Sequence, residues 1–284
     1  MPITSIIGEL GRARRGGYAI PLFGFFEMNA VEGVIRAAEE ASSPVILGIY
    51  TNMIDADSVE ASAAYIRRRA EGCKVPVSLF LDHGQSYEQC IRAMAFGFTD
   101  VMFDGSRLPF EENMEITRLI VRAAHAVGAG VEAELGHVGM AADEAGDSSG
   151  LTDPDSVRRF VAETGVDSLA ISIGTAHGVY RGTPRLDFDL LSRIASVTDI
   201  PLVMHGGSGL TEEQFRRAVA GGMAKINIAT DLFQASTAAM REKALQEADY
   251  GCMVEAVASA HYEQSLHYFK LFGSVNAVDR RDMR

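Results

Sequence analysis

The chain reads as an α/β protein, a (β/α)8 TIM barrel, on three observations. Eight short apolar runs alternate with amphipathic stretches of helical period. The length of 284 residues is near the roughly 250 of that architecture. Three of the apolar runs end in a histidine. Alternation of this kind implies right-handed crossovers and a parallel sheet, and a closed barrel accommodates eight strands more naturally than a doubly wound sheet.

The strands are expected at residues 18–24, 44–50, 77–81, 100–103, 130–135, 168–173, 201–204 and 224–228. Helices are expected between them at 30–41, 58–71, 87–95, 112–126, 154–163, 188–196 and 212–220, with another beyond Asp231. Thr152-Asp153-Pro154 places a capping residue before a proline at the first helical turn, and Thr211-Glu212-Glu213 places acids where a helix dipole favours them. No low-complexity block divides residues 1–284, which read as a single barrel domain with a C-terminal helical extension over 237–272, packed on the barrel or on another subunit. The longest irregular piece, 137–151, follows the fifth strand and is rich in Gly, Ser, Asp and Ala. It is expected to be mobile without ligand and to close over bound substrate.

Composition narrows the function classes. Hydrophobic residues make up 47 % of the chain, enough for a substantial core. The formal net charge of −12 lacks the basic footprint of a nucleic-acid binder, although a local site can still take an anionic metabolite. Cys73, Cys90 and Cys252 form no CxxC pair and cannot all pair within one chain. That usage predicts a reduced, cytoplasmic setting. The first residues lack the apolar core of a signal peptide, and no run is long enough to span a bilayer.

Three histidines close apolar runs, in SLFLDHG, LAISIGTAHG and PLVMHGGSG. The C-terminal ends of barrel strands build the active site, so His83, His177 and His205 are expected at one mouth. Three neutral imidazoles suit Zn²⁺ and leave a fourth position open for a substrate oxygen. His125, His261 and His267 lie in helical patterns and read as structural or surface residues; His137, opening the long loop, reads as a packing or loop residue ahead of a metal ligand. Asp82 precedes His83 and is placed to exchange a proton with a substrate hydroxyl, the alternative being support of a ligand or a helix cap. Asp104 and Glu134 also end strands; they either orient ligand imidazoles, the favoured reading, or hold a second metal position.

Two segments look built for an anion. His205-Gly206-Gly207-Ser208-Gly209 follows strand seven and Asn227-Ile228-Ala229-Thr230-Asp231 follows strand eight, the two places where barrels often bind phosphate. Glycines let backbone N–H groups approach the oxygens, and Ser208 and Thr230 add hydroxyls.

With these residues placed, the chain resembles the class II fructose-bisphosphate and tagatose-bisphosphate aldolases, nearer the tagatose type. The resemblance runs almost end to end, through LDHGQSYEQC, GFTDVMFDGSRLPFEEN, VEAELGHVG, GVDSLAISIGTAHGVYRG, IPLVMHGGSGL and KINIATDL. It implies zinc on His83, His177 and His205, and Asp82 exchanging the C4 hydroxyl proton. It also implies dihydroxyacetone-phosphate contacts from Gly178, Gly206, Ser208, Asn227 and Thr230, with a monovalent cation (Na⁺ or K⁺) near the phosphate. The implied partner is a sugar phosphate, and a homodimer or homotetramer is expected, with no nucleic acid and no membrane. The pattern departs in the long loop: Ala142 stands where the family carries its carbon acid–base Glu, leaving Asp143 or Glu144 to serve. It departs again at Gly24, Glu27 and Tyr50. Glu27 would bring negative charge, and Tyr50 bulk, to the distal end of the substrate, which favours a ketose 1-phosphate over a bisphosphate. Two other readings stand beside this one: a Schiff-base aldolase using Lys225, one of four lysines, and a catalytically silent sugar-phosphate-binding barrel.

Overall fold

The computed structural model describes residues 3–141 and 150–279. Eight parallel strands close into a barrel in chain order: β1 (Ile20–Gly24), β2 (Val45–Tyr50), β3 (Val77–Gly84), β4 (Asp100–Phe103), β5 (Gly130–Leu135), β6 (Ser168–Ile171), β7 (Leu202–Met204) and β8 (Met223–Ile228). Closure is the pairing of β1 with β8, where Ile20 faces Lys225 and Leu22 faces Asn227. The (β/α)8 expectation therefore holds, and each expected strand is present with ends shifted by at most a few residues.

The outer helices are α2 (Met28–Glu40), α3 (Val59–Ala70), α4 (Tyr87–Ala95), α5 (Phe110–Val127), α6 (Pro154–Thr164), α7 (Phe188–Val197) and α8 (Glu212–Ala220), after an N-terminal α1 (Ile7–Gly16). Their starts follow the local chemistry. Asp153 accepts from the backbone of Asp155 and Ser156 ahead of Pro154, and Thr211 forms a reciprocal capping box with Gln214. The C-terminal helical region is two helices, α9 (Thr230–Leu245) and α10 (Tyr250–Leu271), with Asp249 capping the second. No helix among the described residues is long and apolar enough to cross a membrane.

Helix α1 was not anticipated. Two internal glycines and three arginines hide its period, and its stability comes from tertiary contact. Ile6, Leu10 and Ala13 pack with Ile20, Leu22, Phe80, Met102 and Val203 of the strands. Asp100, at the start of β4, anchors this plug. It accepts from Ser5 Oγ (2.6 Å), Ser78 Oγ (2.6 Å), Thr99 Oγ1 (2.8 Å) and the Ile6 backbone N–H (3.1 Å). Asp100→Ala orphans these buried donors and should lower stability by about 2–4 kcal/mol, read as a shift in urea midpoint with unchanged slope. A shift below about 0.5 kcal/mol, the size of an ordinary surface substitution, would show that α1 holds without this anchor.

Candidate active site

Strand β3 does not stop at Leu81 but runs on through Asp82, His83 and Gly84. Between the pairs Leu81↔Val101 and Gly84↔Phe103, β3 advances one residue more than β4. Such a bulge re-aims a side chain, and His83 sits in it with φ 56°, a conformation most non-glycine residues avoid. The chain thus holds His83 in an uncommon backbone geometry at the barrel mouth.

Each of three histidines has a hydrogen-bond partner behind its ring. His83 Nδ1 lies 2.9 Å from Asp104 Oδ2, and His205 Nε2 lies 2.9 Å from Glu132 Oε1. The His177 ring bonds the Val138 backbone, and its own backbone is tied to the start of the long loop by N–H donation to Gly139 O (2.7 Å). Ring nitrogens of His83, His177 and His205 all lie within 4.8 Å of one another. With Nδ1–H of His83 and Nε2–H of His205 assigned to the carboxylates, the opposite nitrogens face each other with lone pairs at 2.8 Å. Two such lone pairs are held together by a proton or by a metal cation. This donor set, imidazoles fixed in tautomer from behind, is what a transition-metal site requires.

The electrostatics agree. Burial, with the charge of His83 added, lowers His177 to about 4. The same causes, with Lys225 added, push His205 well below the usual histidine range. Burial also works against a charged His83, but the Asp104 hydrogen bond and the charges of Asp82, Glu134 and Asp104 outweigh it and lift that ring to about 9. Burial and the neighbouring Asp104 raise Glu134 to about 8. The surrounding carboxylates favour positive charge at the position of His83. Two buried oxygens there, Glu134 Oε2 and Asn227 Oδ1, have no hydrogen-bond partner among the described residues, and both are acceptors. Glu134 Oε2 lies 3.9 Å from His83 Nδ1, and His83, Asp104 and Glu134 form a second group with metal-ligand spacing.

Asp82 lies beside this cluster, its Oδ1 accepting from Asn227 Nδ2 (2.9 Å) and 3.9 Å from His205 Nδ1. On the β6–β8 side, Gly178, Ser208 and Thr230 line one cleft of about 330 Å³ together with Arg181. The loops around it are stitched together. Ser208 Oγ accepts from the Asp231 backbone (3.3 Å), Asp231 accepts from the Gly209 backbone (3.1 Å), and Tyr268 of α10 donates to the same carboxylate. Tyr180 OH accepts from Ala176 N (2.7 Å) and donates to Gly206 O (2.8 Å). Gly206 has φ +67°, and a Cβ there would lie 2.4 Å from Ala176 O, so glycine is required at that turn.

A family model for fructose-bisphosphate aldolase class-II matches residues 6–277. The chain belongs to the class-II fructose-bisphosphate aldolase family. It is 41 % identical over 255 residues to the fructose-bisphosphate aldolase of Geobacillus stearothermophilus, covering 85 % of this chain and 86 % of that one. It is 40 % identical over 259 residues to the uncharacterized protein YdjI of Escherichia coli K12, covering 90 % and 92 %. The crystal structure of the YdjI aldolase of that organism matches with a TM-score of 0.88 at 36 % identity over 97 % of this chain and 99 % of that one. This is therefore an aldolase, a carbon–carbon lyase of a metal-dependent class acting on sugar phosphates.

In this aldolase the expected residues divide into two groups in space. His83, His177, His205, Asp82, Asp104, Glu134 and Asn227 gather at the histidine cluster; Gly178, Ser208 and Thr230 gather in the neighbouring cleft, with Gly206 at the turn beyond His205. Arg181 is the residue the sequence reading missed. It lies at the end of the GTAHGVYRG stretch between β6 and α7, and its place in the cleft gives it a role there. Asp143 and Glu144, with Ala142, lie outside the described residues.

The remaining histidines have other partners. His125 pairs with Asp167 (2.9 Å) and His261 bonds Ser236 (2.9 Å), while His267 meets the Tyr268 ring edge-on. His137 Nδ1 bonds Ser106 Oγ (3.1 Å), whose own proton goes to Asp104 (2.6 Å), so the loop residue buttresses the partner of His83.

Two sequence expectations change. Lys225 is fully buried, with both Glu132 oxygens at 2.9 Å and the Phe80 ring face at 4.1 Å, so its amine is not presented to a carbonyl at the mouth. Glu27 accepts from the backbone of Asn29 (2.7 Å) and Ala30 (2.6 Å) as the cap of α2, so its carboxylate is engaged by the helix. Gly24 faces Ala229 and Phe233, which would sit 3.0 Å and 3.5 Å from a Cβ.

Proposed function

We propose that this aldolase carries out the zinc-dependent, reversible cleavage of a ketose phosphate to dihydroxyacetone phosphate and an aldehyde. The observation that carries the reading is the cluster of three imidazoles, two of them tautomer-fixed by carboxylates with lone pairs converging. His83 Nε2, His205 Nδ1 and a nitrogen of His177 would hold the ion, with Asp104 and Glu132 orienting the rings. Zinc bound there supplies a Lewis acid for the negative charge of the enediolate left by cleavage. Asp82, steadied by Asn227, takes the C4 hydroxyl proton as the carbon–carbon bond breaks. Asp143 or Glu144 returns a proton to carbon; exchange of the dihydroxyacetone-phosphate C–H with solvent deuterium, lost in Asp143→Asn or in Glu144→Gln, identifies which. Backbone N–H groups at the start of α9, the hydroxyls of Ser208 and Thr230, and Arg181 suit the phosphate, with Na⁺ or K⁺ as a further counter-charge there.

Arg181→Ala should raise KM for dihydroxyacetone phosphate about tenfold or more, the size of one hydrogen bond to a charged group, with a smaller effect on kcat. An unchanged KM would move the phosphate elsewhere.

The distal end of the substrate meets a different surface. Tyr50 ends β2 with its ring 5.8 Å from His83, and burial with the charges of Asp82 and Asp104 holds its phenol above the ordinary range, in the protonated form. A bulky neutral hydroxyl in an anionic setting favours an aldehyde without a second phosphate. The function is tested by condensing dihydroxyacetone phosphate with phosphorylated and unphosphorylated aldehydes, with zinc or with chelator. Turnover that chelator abolishes and borohydride fails to trap is expected; no turnover with any aldehyde would leave a silent sugar-phosphate binder. We expect kcat/KM to be higher for ketose 1-phosphates than for fructose or tagatose 1,6-bisphosphate. A bisphosphate value near the usual range of roughly 10⁴ M⁻¹s⁻¹, with the 1-phosphates far slower, reverses that preference.

A further inference from the structure

Glu132 and Lys225 lie on β5 and β8, which are not neighbours in the sheet, so their contact crosses the barrel interior. Both are essentially without solvent exposure. Lys225 Nζ lies 2.9 Å from each oxygen of Glu132, and Glu132 Oε1 also lies 2.9 Å from Nε2 of His205 on the third element, the end of β7. Ser168 Oγ approaches the other oxygen at 3.4 Å, and the Phe80 ring face covers the ammonium at 4.1 Å. A buried ion pair is seldom kept for stability, since an apolar pair of similar volume often serves as well. Here one partner has a second duty on a histidine whose other nitrogen faces the cluster.

We infer that Glu132 and Lys225 form a positioning strut that fixes the tautomer and ring orientation of His205 and so sets the divalent-cation affinity of the site. The inference rests on His205 being a ligand. Glu132 accepts Nε2–H, which leaves the lone pair on Nδ1, the nitrogen 2.8 Å from His83 Nε2; without that acceptor the imidazole is free to carry its proton on either nitrogen. Lys225 grips both carboxylate oxygens, which fixes the rotation of the carboxylate and presents Oε1 to His205. It also cancels a charge that would otherwise add to those of Asp82 and Asp104 around the cluster. The lysine therefore acts two residues removed from the ion, through Glu132 and His205, and touches no reacting atom.

The test is Glu132→Leu/Lys225→Met, which removes the acceptor, stays close in volume and keeps the interior neutral, with circular dichroism and the urea midpoint to follow the fold. Zinc affinity, by competition with a chromophoric chelator, should fall 10–100-fold, the usual cost of removing such a partner. The visible spectrum of the cobalt-substituted protein should shift in band position or intensity, since ligand geometry changes; a merely structural pair would leave it alone. Unchanged zinc affinity together with an unchanged cobalt spectrum overturns the inference. His205→Ala is run alongside. If it binds zinc as tightly as the parent, the ligand reading itself fails; if it loses zinc while the double variant does not, only the strut fails. Should the double variant not fold, Glu132→Gln/Lys225→Met, which keeps the volume and the neutral interior but loses the grip on the carboxylate, carries the same comparison.

Discussion

Alanine at His83, His177 or His205 should remove bound zinc and aldol cleavage together, with activity down on the order of 10³-fold or more. The size follows from what is lost: a Lewis acid contributes several kcal/mol to a charge-developing transition state, and each 1.36 kcal/mol is tenfold in rate. The three substitutions should not be equal in their side effects. His83→Ala leaves Asp104 and Glu134 without the ring that lies between them, so added zinc should bind weakly and heterogeneously. His205→Ala leaves Glu132 with Lys225, a pair already matched in charge, so that variant should be the best folded of the three. Metal analysis after dialysis, paired with the cleavage assay, checks the expectation. Full zinc occupancy in all three variants would defeat the assignment.

Asp82→Ala should separate metal binding from chemistry. Zinc content should stay at the parental level, because Asp82 Oδ1 is 3.9 Å from the nearest His205 nitrogen and hydrogen-bonded instead to Asn227. Cleavage should fall by roughly 10²–10⁴, the range for loss of a general acid–base group, and the loss should lie in kcat rather than KM, since the carboxylate acts on a proton in flight. Exchange of the dihydroxyacetone-phosphate carbon proton should persist, since a different group handles it. Near-parental kcat would reduce Asp82 to a support for Asn227.

The barrel was legible in the sequence because its cause is local and repetitive. Strands buried on both faces are short apolar runs, and crossover helices carry a stripe at helical period, so alternation alone determines element order. His83 and His205 were legible for the same reason, since the end of a barrel strand is also its place at the mouth; His177 lies six residues past β6, on the loop that the same mouth collects. What no window of sequence contains is contact between distant elements. Helix α1 lacks a clear period and is held by Asp100 and the barrel floor. Glu27 looked like a charge in the substrate's path, yet two backbone N–H groups one turn away take its carboxylate, a choice of side-chain direction that spacing does not encode. Lys225 read as a possible nucleophile until Glu132, 93 residues away, proved to hold it. Arg181 lay inside the GTAHGVYRG stretch, but nothing in its spacing assigned it to an anion, and only loop geometry places it in the phosphate cleft. The residues that could bind or react were determined by sequence pattern; the tautomers, counter-charges and directions that decide what they can do were determined by the tertiary structure, because electrostatic partnership in a buried site depends on ångström distances between strands that the chain order keeps far apart.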